Sequence, residues 1–162
     1  MEDKMVNEQE VQVSEQHRLI KTVMIGSIND LKNISKKVND AASEIVKEGG
    51  KVICYSSQCF GLSPITLIYN IVYDTKAEKQ ASENSKNRFI ETIVFNSSSD
   101  IKHIELLVNA VAADIEKQGG KVVCYLQQSY GISPMNLVYN IVYETNSTEP
   151  LTLTEQSKTK KK

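Results

Sequence analysis

The chain carries one segment twice: GLSPITLIYNIVYDT at residues 61–75 returns as GISPMNLVYNIVYET at 131–145. The correspondence extends outward. At an offset of 70, Arg18 to Thr75 aligns with Arg88 to Thr145 without a gap, and 29 of 58 positions are identical. Self-similarity over such a length means one supersecondary unit used twice, so the fold must be buildable from that short piece. Identity is concentrated in the later part of the unit, with 17 of 27 positions identical from Gly49 onward against 12 of 31 before it. The residues that keep the copies alike therefore lie after the Gly-Gly pair.

The repeat sets the domain boundaries. Residues 1–17 carry five acids and one lysine and read as an acidic, disordered N-terminal tail. Copy 1 is 18–75 and copy 2 is 88–145. Between them KAEKQASENSKN, residues 76–87, has no apolar residue larger than alanine and reads as a polar linker. Residues 146–162, rich in Ser, Thr and Glu and ending in Lys158, Lys160, Lys161 and Lys162, read as a second disordered tail.

Each copy shows the same order of periodicities. LIKTVMIG (19–26) and FIETIVFN (89–96) are rich in β-branched and apolar residues, as strands are. Ser27 with Asp30, and Ser97 with Asp100, then stand three apart, where a hydroxyl can cap a helix and an acid favours the positive end of its dipole. Leu31, Ile34, Val38, Ala41, Ala42 and Ile45 follow on one helical stripe, as do Ile101, Ile104, Val108, Val111, Ala112 and Ile115. Glycines 49–50 and 119–120 stop the helices. KVICYSSQ with ITLIYNIVYD, and KVVCYLQQ with MNLVYNIVYE, then form hairpins about G-[LI]-S-P. The unit is β-α-β-β, and the fold class is α+β.

Crossover handedness makes the first two strands parallel, and the third lies between them, giving strand order 1-3-2 with one helix on one face. In the third strand Ile65, Leu67, Tyr69, Ile71 and Tyr73 share one side, while Ile68 and Val72 stand among Thr66, Asn70 and Asp74 on the other. Both faces are substantially apolar, yet one helix covers one face, and a unit this small is marginal alone. The second face is expected to pack on the sister copy or on another chain, which makes a homo-oligomer the expected state.

Strand, helix and long hairpin, with VMIGS before an alanine-containing helix (Ala41, Ala42) and NIVYD at the end, resemble the dodecins, small bacterial proteins that assemble into shells and bind flavins without catalysis. A small sporulation protein family of Bacillus has similar element order. The resemblance implies an oligomer and a planar, flavin-like ligand. The chain departs from dodecins in being tandem, in its shorter Ser-Pro hairpin loop and in lacking tryptophan, the residue type dodecins use to sandwich the flavin.

Composition and charge narrow the function classes. The net charge is −1, and neither copy concentrates positive charge: copy 1 has seven bases and five acids, copy 2 four bases and six acids. No nucleic-acid partner is expected on that balance. MEDKMVNEQEVQVSEQH has no basic start followed by an apolar run, and no stretch reaches the roughly 18 apolar residues of a membrane helix, so the expectation is cytoplasmic, with no membrane partner. Three cysteines, Cys54, Cys59 and Cys124, form no CxxC or Cys/His cluster, so no metal site is expected. Cys54 and Cys124 match between copies and, lying between Val52 and Ser56 or their equivalents, are expected to be small core residues. His17 and His103 have no partnered nucleophile, and no enzyme is expected.

The matched residues of the hairpin carry the functional expectation. Tyr55, Gln58, Ser63, Tyr69 and Asn70, with Tyr125, Gln128, Ser133, Tyr139 and Asn140, combine flat rings with amide and hydroxyl groups. That mixture suits a planar polar molecule such as a nucleotide or flavin, held for storage or sequestration; the cofactor itself is not identified. The alternative is that the tyrosines pack, the Ser-Pro shapes the turn, and the chain is a structural or protein-interaction module with no small ligand.

Overall fold

The computed structural model describes residues 17–26, 28–60, 66–75, 86–96, 102–130 and 136–153. Copy 1 contains β1 (Arg18–Ile25), a 3-10 turn (Ile28–Asn33), α1 (Ile34–Lys47), β2 (Lys51–Phe60) and β3 (Thr66–Asp74). Copy 2 contains β4 (Asn87–Phe95), α2 (Ile104–Lys117), β5 (Lys121–Tyr130) and β6 (Asn136–Thr145). Each copy forms a three-stranded sheet, ordered β1-β3-β2 and β4-β6-β5, in which the central strand is antiparallel to both neighbours. The β-α-β-β unit and its 1-3-2 order are as the periodicities imply.

The helix stops also match. Gly49 and Gly119 hold φ of 83° and 84°, a left-handed backbone that glycine enters without strain. In copy 1 the Gly49 N–H donates to the Val46 carbonyl and the Gly50 N–H to that of Ile45; Gly119 and Gly120 repeat the pair on Glu116 and Ile115. These are Schellman closures, which satisfy the last carbonyls of the helix. The helix starts differ from expectation. A 3-10 turn precedes α1, whose N-cap is Asn33 without a side-chain cap bond, and α2 follows His103 in the same way. Ser27, Ser97 and Asp100 lie outside the described residues, while Asp30 pairs with Lys37 at 2.8 Å.

Both cysteine expectations need correction. Register shifts between Val52 and Cys54, and again between Val122 and Cys124, so each second strand of a copy carries a β-bulge. The extra residue breaks the alternation: Val52 and Tyr55 turn inward, and Cys54 turns outward and is exposed. Cys124 is exposed for the same reason.

The copies do not bury the same faces. Residues opposite one another in the register share a face, so Val23, Ile25, Leu67, Tyr69, Ile71 and Tyr55 form one face of the first sheet. Five of them are buried and Val23 is half-buried; α1 lies here, its apolar stripe inward and Lys21 reaching Glu44 at 2.7 Å. This is the helix face. The back face, with Ile20, Met24 and Phe60, is open to solvent. In the second sheet both faces are buried: Phe89, Ile93, Phe95, Ile141 and Tyr143 on the helix face, and Ile90, Val138, Asn140 and Val142 on the back. A single apolar core runs through both copies.

Candidate functional site

The back face of copy 2 is covered by the helix face of copy 1. Asn140, from the centre of β6, is fully buried; its Oδ1 accepts hydrogen bonds from the Tyr69 hydroxyl at 3.0 Å and the Thr92 hydroxyl at 2.8 Å. Gln128 Nε2 donates to the same Tyr69 oxygen at 3.0 Å. Three of the ten residues singled out in the sequence thus converge, one from copy 1 and two from copy 2. Burial raises the Tyr69 phenol to about 12, opposed by the Gln128 amide N–H, which would also bond the phenolate. Gln128 Oε1 and Asn140 Nδ2 have no protein partner among the described residues.

A second set of contacts seals the junction along β4, an edge strand. Asn39 on α1 donates through Nδ2 to the Ile90 carbonyl at 2.7 Å and accepts the Ile90 N–H on Oδ1 at 2.9 Å. One turn earlier, the Ser35 hydroxyl accepts the Thr92 N–H at 2.8 Å. Residues four apart on a helix share a face. Here that face supplies the donor and acceptors a neighbouring strand would otherwise give, which satisfies backbone groups that burial would leave costly. Tyr55 closes the near end of the strand, its hydroxyl donating to the Arg88 carbonyl at 2.5 Å, and Arg88 Nη1 donates back to the Ile53 carbonyl. Desolvation lifts the Tyr55 phenol well above its ordinary range. Lys47 and Glu149, 2.8 Å apart, tie α1 to the segment that follows β6.

The remaining sequence-selected residues are scattered. Gln58 is exposed on the back face of copy 1. Asn70 is half-buried there, accepting from Thr22 at 2.9 Å. Tyr125 is 48% exposed at the far side of copy 2, and Tyr139 stacks edge-on against Phe95 with centroids 5.9 Å apart. Ser63 and Ser133 lie outside the described residues. A surface cleft of about 350 Å³ is walled by Leu31, Lys32, Val94, Asn96, Tyr130 and Asn136, none of them among the ten. Asn39, Ser35 and Arg88 were not singled out. Asn39 did carry a signal: an asparagine beside Val38 on the helix stripe, matched by Asn109 beside Val108.

Among the described residues no cluster of three or more His, Cys, Asp or Glu side chains could hold a metal ion, and no helix is long and apolar enough to cross a membrane. Compared with models of protein families, with curated proteins and with solved structures, the chain matches none.

Proposed function

We propose that the chain is a non-catalytic protein-interaction module whose back face in copy 1 takes a protein partner. The observation that supports this reading is the exposure of Ile20 at 66%, Met24 at 64% and Phe60 at 72% on one sheet face, which is bounded by the edge strand β1. Exposed apolar residues gathered on one sheet face mark interaction sites, and an edge strand offers backbone groups as well. The Tyr55 and Tyr69 hydroxyls, Gln128 Nε2 and Asn140 Oδ1 are engaged at the junction between copies, which favours packing over ligand capture for those residues. The experiment is native mass spectrometry of the chain purified from its native source, with wild type compared to Met24→Glu. A retained protein mass that Met24→Glu loses supports the module, whether that mass is this chain or another. A small molecule retained equally by both, with no protein bound, overturns it.

The cleft supports a second reading. Tyr130 offers a ring, Lys32 a cation and Asn96 and Asn136 amides, a set that fits a planar anionic molecule such as the nucleotide- or flavin-like ligand the dodecin resemblance implies. In that case the retained small molecule disappears from Tyr130→Ala.

A further inference from the structure

The junction inside the chain joins unlike surfaces, the helix face of copy 1 and the back face of copy 2. Such a heterologous contact leaves one of each surface unused at the ends. Copy 1 cannot cover its own back, and its helix face is already occupied by copy 2. The unused surfaces are therefore the part of the copy 2 helix face that α2 and the Leu151 segment leave open, where Tyr125 is exposed and Tyr139 half-buried, and the back face of copy 1. Both carry the residues that make the internal junction, shifted by 70.

The correspondence holds at every contact but one. Tyr69 finds Asn140 and Gln128 inside the chain; the unused surfaces present Tyr139 on one side and Asn70 with Gln58 on the other. Tyr55 and the Ile53 carbonyl engage Arg88; their equivalents are Tyr125 and Val123, 48% and 40% exposed, and Arg18, whose side chain is 63% exposed while it pairs with Asp74. Asn39 clamps Ile90; exposed Asn109 stands ready, and at the outer edge of β1 the Ile20 backbone has no partner among the described residues. Exposure follows the same rule. Ile20 is 66% exposed and Ile90 fully buried; Phe60 is 72% exposed and its counterpart Tyr130 only 6%. One contact departs, since Glu105 stands where Ser35 accepts the Thr92 N–H, though a carboxylate can accept from Thr22 as well.

We infer that a second copy of this chain docks its copy 2 helix face onto the copy 1 back face, repeating the internal junction between chains and propagating head to tail. This rests on the reading of the back face as a protein-binding surface and names its occupant. Tyr139, Asn70 and Gln58 then form the buried triad that Tyr69, Asn140 and Gln128 form within the chain.

The test uses two variants at exposed positions, each damaging one side. Tyr125→Arg places a second cation against Arg18, and Ile20→Arg puts a charge into the apolar back face. Sedimentation velocity and native mass spectrometry of the full chain are the readouts, with circular dichroism confirming the fold; Met24→Arg replaces Ile20→Arg should the latter unfold. Wild type is expected to self-associate beyond the dimer, and each variant alone to be monomeric, its self-association weakened at least tenfold as loss of a central interface residue implies. Mixing the two variants in equal amounts should give a dimer of one of each, because one intact junction remains. Three results overturn the inference: wild type monomeric at high micromolar concentration, either variant assembling alone, or a mixture that stays monomeric. If pure wild type is monomeric but a different protein binds and Met24→Glu abolishes that binding, the module reading stands and the second copy is excluded.

Discussion

Tyr69 and Tyr139 hold the same place in the same strand of the same unit, yet Tyr69 is buried with two amides on its hydroxyl, and Tyr139 is half-buried against Phe95. The same split runs through Asn39 and Asn109, Tyr55 and Tyr125, Ile90 and Ile20. Within a copy, sequence sets the element and the direction each side chain points. What it meets there depends on whether a neighbour copy lies against that face. Equivalent substitutions should therefore have unequal effects, measured as denaturant midpoints in solutions dilute enough to keep chains apart.

The largest difference is expected at the back faces. Ile90→Ala empties a fully buried site and should cost about 2–5 kcal/mol, while Ile20→Ala, mostly in solvent, should stay within about 0.5 kcal/mol. Equal losses at the two positions would sink the asymmetric packing. Next comes the edge clamp. Asn39→Ala leaves a buried N–H and a buried carbonyl of Ile90 unpaired and should cost about 3 kcal/mol, whereas Asn109→Ala should change little.

Tyr69→Phe strips a donor from Asn140 and an acceptor from Gln128, for about 1–3 kcal/mol, and Tyr139→Phe should be near neutral. The tyrosine pair also differs in pH response. The folded Tyr69 pKa of about 12 lies above an unfolded value of about 10, so its contribution is complete below pH 10 and falls away as pH rises toward 12. Tyr55 and Tyr143, also shifted upward, act in the same direction. Midpoints measured across that window should fall for wild type and fall less steeply for Tyr69→Phe. The smallest contrast is at the helix stops. Gly49→Ala and Gly119→Ala should each cost about 1–2 kcal/mol, because both closures are local and owe nothing to the junction.

That last pair shows which parts of the fold could be read in the sequence. Gly-Gly stops, the 3.6-residue stripe from Ile34 to Ile45 and the alternation of β3 are local signals, and they sufficed for the unit and its 1-3-2 order. Cys54 faces outward against the alternation of its strand because a bulge at Val52/Cys54 has no marker in KVICYSSQ; the register shift belongs to the pairing with β3. Matched tyrosines and amides stand out where the two copies agree, and four of the ten meet at the junction. Their division into occupied and unoccupied halves was not legible. Copies half identical in sequence carry no mark of which one lies in front of the other.

Asn39 has a consequence for how the protein avoids trouble at high concentration. By answering the Ile90 backbone with a side-chain amide, α1 makes the β4 edge behave as though another strand were already there, so it cannot template addition of a foreign strand. Within a single chain the β1 edge has no such stopper among the described residues, and Ile20 and Met24 alternate along it in open solvent. Amyloid-like growth, if provoked by heat or crowding, should nucleate at β1 and spare β4.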